Sequence, residues 1–104
     1  ERNAIKATQL YPVVDGTALS TSFGHLFSGG YAAGYYSYKW SEMHDADAFE
    51  YFKEKGILSR EAGKHFEKEI LSKGGSAPAD ELYRNFRGRD ANPDALLRRA
   101  GLVK

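Results

Sequence analysis

No cysteine occurs anywhere in the chain. A disulfide framework, a thiolate zinc site and a cysteine nucleophile are thereby excluded, and a reducing compartment suits the composition. Long apolar runs are missing too. Nothing approaches the roughly 18 consecutive apolar residues of a membrane-crossing helix. The opening ERNAIKATQL is too polar and mixed for a secretory leader. Charge of one sign is also lacking: 15 basic residues stand against 14 acidic ones, for a formal net charge of +1. That balance excludes a strongly basic nucleic-acid binder. The H-E-x-x-H spacing that sets two imidazoles one helical turn apart is absent, and "HDADA" (His44 to Ala48) does not replace it. Gly24, Gly29 and Gly30 are not followed by the Gly-Lys-Ser/Thr of a phosphate loop.

What is present describes a small globular chain. In its 104 residues, 41% are hydrophobic and 28% charged, enough for one modest core. Residues 1–22, with Pro12, Gly16 and the cluster Thr17, Ser20, Thr21 and Ser22, form an N-terminal loop or extended segment. Residues 23–104 form a helical segment. The proline-free stretch from Tyr31 to Lys55 predicts one long helix, stopped at Gly56 with Lys53 and Lys55 in its last turn. Ser59 is the N-cap of a second helix, carrying Ala62, Phe66 and Ile70 and ending at Gly74-Gly75. Ser76 and Pro78 open a third, with Leu82, Tyr83 and Phe86 as its apolar side and Gly88 as its stop. Asn92 and Pro93 start a fourth, with Leu96 and Leu97, stopped by Gly101. The fold class is all-α.

The stretch "HLFSGGYAAGYYSYKWSE" (His25 to Glu42) crowds four tyrosines and a tryptophan behind a glycine pair. On a helical wheel with Tyr31 at zero, Tyr35, Tyr38 and Glu42 fall within about 40° of it. Tyr36, Trp40 and Met43 fall roughly opposite, between about 120° and 180°. A surface helix has one apolar face, and two such faces predict burial between layers that a chain of this length does not supply. This helix is therefore expected to belong inside a larger protein, with Tyr36, Trp40 and Met43 as packing residues. The tyrosine stripe has two readings: core packing with phenols reaching backbone partners, or the wall of a cleft. A phenol can donate a hydrogen bond to a developing oxyanion. His44 and His65 read as surface residues. The arginines Arg84, Arg87, Arg89, Arg98 and Arg99, interleaved with Asp80, Glu81, Asp90 and Asp94, read as a solvated, salt-bridged surface.

Three stretches carry a resemblance: "FGHLFSGGYAAGYYSYKW", "DAFEYFKEKGILSREAGKHFEKEILSKGGS" and "YRNFRGRDANPDALLRRAGL". They are similar, in register, to the C-terminal region of the thimet oligopeptidase family of zinc metallopeptidases, and resemble its oligopeptidase A and peptidyl-dipeptidase branch most. The resemblance implies a helical C-terminal segment of a larger, mostly helical, two-lobed zincin-like fold around a deep channel. Its start at Glu1 rather than Met suits a trimmed chain or a piece of something larger, and "RRAGLVK" resembles the family's own ending. The activity implied is zinc-dependent hydrolysis of short peptides in the cytoplasm. The family's Zn²⁺ is held by an H-E-x-x-H helix and a downstream glutamate, so no zinc ligand is expected in this chain, and the isolated chain is expected to be inactive. The expected partners are peptide substrates and the remaining N-terminal part of the same peptidase, with no nucleic acid and no membrane. Carried over residue by residue, the resemblance makes His25, Gly29, Gly30, Tyr31 and Tyr35 substrate-binding, with the glycines in a mobile loop. Tyr38 becomes the catalytic donor to the tetrahedral intermediate. The competing expectation is a stand-alone helical module that binds peptides or a partner protein without catalysis.

Overall fold

Helices and turns, without a single strand, make up the backbone in the computed structural model, which describes residues 1–104. The all-α expectation therefore holds. Contacts group the chain into two units, Glu1–Ser37 and Tyr38–Lys104.

The first unit is built from short pieces: α1 (Arg2–Ile5), a 3₁₀ turn (Ser20–Ser22) and α2 (Gly24–Phe27). Residues 1–22 are thus not loop throughout. The Glu1 carboxylate accepts the Leu19 and Ser20 backbone N–H groups and the Ser20 hydroxyl. Those hydrogen bonds, the Ser20 hydroxyl first, hold the Glu1 carboxyl below its ordinary range. Arg2 pairs with Asp15 at 3.1 Å. No residue of this unit is fully buried.

The second unit is organised on α3 (Ser37–Lys55), a helix of 19 residues that stops at Gly56 as expected. Ser59 caps α4 (Arg60–Phe66): its Oγ accepts the Ala62 N–H at 3.3 Å. The helix does not continue to Gly74 in α form. It widens into a π-helical turn over Glu67–Leu71, where the Ser72 hydroxyl donates back to the Lys68 carbonyl at 2.8 Å. α5 (Ala79–Arg87) stops at Gly88, whose φ of 76° is the left-handed conformation that a Cβ disfavours. α6 (Asp94–Arg99) starts one residue later than expected, with the Asn92 Oδ1 accepting the Asp94 N–H at 2.9 Å. It ends in a Schellman pair, Leu102 N–H to the Leu97 carbonyl and Gly101 N–H to the Arg98 carbonyl.

The core collects where these helices face one another. Ala46, Ala62, Leu82, Tyr83, Phe86 and Ala95 are buried, and so is the charged Asp47. Phe86 is its centre, with the Tyr51 ring at 4.8 Å, Phe66 at 5.2 Å and His65 at 5.6 Å. The predicted apolar side of α5 is therefore its buried side. His65 is not a surface residue: it is half-buried, and its Nε2 lies 3.0 Å from the Phe86 carbonyl. His44 is half-buried as well, edge-on to the Tyr83 ring at 5.0 Å.

Candidate functional site

α3 begins at Ser37, six residues later than the proline-free stretch predicts. Residues 31–36 form turns, closed by Gly34 N–H to the Tyr31 carbonyl at 3.1 Å and Ser37 N–H to the Gly34 carbonyl at 3.0 Å. The physical reason lies in composition. Gly34 weakens a helix by about 1 kcal/mol relative to alanine, and the glycine pair before Tyr31 offers no N-cap side chain. The continuous helical stripe of Tyr31, Tyr35 and Tyr38 is thus replaced by a different arrangement.

In the first unit, the turn-forming residues bring Tyr31 and Tyr35 to His25. The His25 ring is edge-on to Tyr31, with centroids 5.6 Å apart and planes at 84°. It lies 6.2 Å from the Tyr35 ring, and Tyr35 packs edge-on against Phe23 at 4.6 Å. α2 sets His25 at its start, and the Ser28 N–H and hydroxyl both reach the Gly24 carbonyl to close that helix. Gly29 follows directly. A Cβ there would stand 3.1 Å from the His25 carbonyl oxygen. Gly30 has open space around it, and neither glycine has a positive φ. Gly29 serves close backbone approach rather than an unusual dihedral. The result is an exposed imidazole with two phenol rings packed against it.

In the second unit, Tyr38 lies on the first turn of α3 and is 45% exposed. Trp40, further along, is 60% exposed. Its carbonyl accepts from the His44 Nδ1 at 2.9 Å.

Sequence reasoning missed the most deeply set polar group of this unit. Asp47, on α3 and 2% exposed, takes a hydrogen bond from the Tyr83 hydroxyl at 2.6 Å. Arg89 binds it in a fork, Nη2 to Oδ1 at 2.7 Å and Nη1 to Oδ2 at 2.9 Å. Burial pushes the Asp47 carboxyl up, but the Arg89 and Tyr83 hydrogen bonds outweigh it and leave the group below its ordinary range. Burial, then the bond to Asp47, pushes the Tyr83 phenol well above its own. The arginines are therefore not uniformly solvated. Arg84 pairs on the surface with Asp80 and Asp90, as expected. The Arg87 side chain is only 8% exposed, forked onto Glu54 at 2.6 and 2.9 Å over the Tyr51 ring. The signal available was Asp47 itself, an acid between Ala46 and Ala48 on a helix, with a lone Arg-Gly-Arg later in the chain.

No three histidine, aspartate or glutamate side chains converge as a metal site requires. The residues present therefore do not make a zinc site.

A profile described as Peptidase family M3 matches residues 2–102. The chain is 51% identical over 90 residues to the oligopeptidase A of Haemophilus influenzae, covering 86% of this chain and 13% of that protein. It is 51% identical over 81 residues to the oligopeptidase A of Escherichia coli, covering 78% and 12%. It is 41% identical over 103 residues to the dipeptidyl carboxypeptidase of Salmonella typhimurium, covering 98% and 15%. The chain spans about an eighth of the length of the curated relatives it matches.

Proposed function

The chain belongs to peptidase family M3, and from that premise we propose that it is the substrate-channel segment of a zinc-dependent oligopeptidase that hydrolyses short peptides. His25, Gly29, Gly30, Tyr31 and Tyr35 hold the substrate and Tyr38 donates to the oxyanion. The observation that carries this is the imidazole of His25 with the phenol rings of Tyr31 and Tyr35 packed against it, directly beside the close-packed Gly29. An extended peptide offers carbonyls and N–H groups, and phenol and imidazole match both kinds.

The division of labour follows from when each hydrogen bond matters. A contact made equally to substrate and transition state lowers KM alone, and the His25, Tyr31 and Tyr35 surface is assigned that role. Peptide hydrolysis passes through a tetrahedral oxyanion. A donor aimed at that oxygen, rather than at the ground-state carbonyl, strengthens its bond as charge develops and so raises kcat. The Tyr38 hydroxyl is assigned to that donor role. No metal-binding group lies in this chain, so the Zn²⁺ of the family would be held by the rest of the enzyme, where it would supply an activated water; the enzyme is assigned to the cytoplasm.

The test is steady-state kinetics in the full-length peptidase carrying this segment. Tyr38→Phe keeps the ring and its packing. It is expected to lower kcat by about 10²–10³-fold with KM within about threefold. His25→Ala is expected to raise KM about tenfold, the worth of one hydrogen bond, with kcat little changed. A Tyr38→Phe enzyme with kcat within a few-fold of the parent would contradict the assignment.

A further inference from the structure

The buried Asp47 poses an energetic question that packing does not answer. A carboxylate 2% exposed has lost its water, and the fork from Arg89 with the Tyr83 hydroxyl only replaces it. Buried ion pairs contribute weakly to stability against apolar substitutes, and their best-attested use is to fix register. The other ties from α3 are of a different kind. Asp45 pairs with Arg99 at 2.7 Å, with side chains 68% and 49% exposed. Glu50 stands 4.0 Å from Arg98. Glu54 accepts a short fork from the 8% exposed Arg87, but is itself about half exposed and has no further bond from α5. Only Asp47 is held by three short bonds from two residues, one on α5 and one just past it.

Such a set tolerates little sliding. A shift of α3 by one residue is a rise of about 1.5 Å and a turn of about 100°, which breaks a fork whose bonds are 2.7 and 2.9 Å long. Asp47 therefore fixes both the axial position and the rotation of α3. The same uninterrupted helix carries Tyr38 on its first turn, nine residues away, or about 13–14 Å along the axis. Between them no proline or glycine interrupts the helix to absorb a displacement.

We propose that Asp47, with Arg89 and Tyr83, is a positioning site that sets the register of α3 and thereby aims the Tyr38 hydroxyl; this rests on the transition-state role assigned to Tyr38 above. Asp47 and its partners touch no substrate. They act through the helix, and a misplacement of about 1 Å at a reacting group can cost about 10²-fold in rate.

The experiment is a double-mutant cycle on kcat in the zinc-loaded full-length peptidase, using Asp47→Asn and Tyr38→Phe. Tyr83→Phe serves as a milder second variant, because it removes one hydrogen bond and keeps the ring. Circular dichroism and zinc content verify the fold of each variant, and Arg99→Ala reports the loss of an exposed tie from the same helix. Expected are a kcat loss of about 10–100-fold for Asp47→Asn and about threefold or more for Tyr83→Phe, with KM near the parent value. In the Tyr38→Phe background both losses should shrink to within about twofold, because the group they aim is already gone. Arg99→Ala should leave kcat within about twofold throughout. If Asp47→Asn does not fold, Tyr83→Phe decides alone. Equal losses in both backgrounds, or losses in KM rather than kcat, would overturn the positioning role while leaving Tyr38 catalytic. A Tyr38→Phe enzyme with unchanged kcat would instead overturn the assignment on which this role rests.

Discussion

At the scale of single residues, two positions carry more than their neighbours. Gly29 has a backbone that any residue could adopt, yet a methyl group there would press on the His25 carbonyl at 3.1 Å. That carbonyl belongs to the residue whose ring meets Tyr31 and Tyr35. Gly29→Ala is therefore expected to raise KM several-fold for short peptides in the full-length enzyme, with a smaller effect from Gly30→Ala, whose added methyl meets nothing within 4 Å. Asp47 makes its prediction through pH. Its folded-state pKa is depressed, so the stability it contributes is present above its unfolded value, about 3.9, and is lost as pH falls through the folded value. Thermal unfolding of the parent and of Asp47→Asn should thus differ most near neutral pH. The two curves should converge in acid, below the ordinary aspartate range. Curves that stay equally separated at every pH would show that the carboxylate charge is not what stabilises the fold.

At the scale of helices, local chemistry was largely legible and long-range pairing was not. Ser59, Gly56 and Gly88 mark helix ends in sequence and in structure, because caps act within a turn of themselves. Leu82, Tyr83 and Phe86 were readable as the inner side of α5 by their spacing alone. The start of α3 was misread because absence of proline permits a helix without requiring one, and Gly34 and the turn bonds around it win locally. For the same reason Tyr31 and Tyr35 gather at His25 by a folded-back turn, which no wheel describes. Asp47 between two alanines hinted at a buried acid, but its pairing with Arg89 was not readable, because the two lie 42 positions apart and no local pattern joins them. Two substitutions check the local part. Ser59→Ala should cost about 1 kcal/mol through the lost cap. Gly88→Ala should cost about 1–2 kcal/mol from its left-handed backbone alone, since its added Cβ meets nothing within 4 Å. Both are read as faster amide hydrogen exchange of α4 and α5 in the full-length peptidase, which reports local opening without a two-state transition.

At the scale of the molecule, the buried set is small against the apolar surface left outside. Leu58 is 96% exposed, Leu102 72% and Trp40 60%, and a cleft of about 400 Å³ lined by Ala48, Phe49, Phe52, Phe66 and Ile70 stays open within the second unit. Exposed apolar area of this kind marks an interaction surface, consistent with a chain spanning about an eighth of its relatives' length. The isolated 104-residue chain is therefore expected to unfold in urea over a broad range, with a low slope and with Trp40 fluorescence and circular dichroism out of step. A steep transition, coincident by both probes, would favour an independently folded module.

The oxyanion role of Tyr38 is tested most directly by inhibition of the full-length peptidase by a phosphinic pseudopeptide, whose tetrahedral phosphorus stands for the reacting carbon and whose anionic oxygens stand for the oxyanion, in the parent and in Tyr38→Phe. If Tyr38 donates to the transition state alone, Ki for this analogue should rise by about 10²–10³-fold, in step with the fall in kcat/KM, while the affinity of a cleaved product peptide stays within about threefold. An analogue and a product that lose affinity equally, or a Ki that does not change, would contradict it.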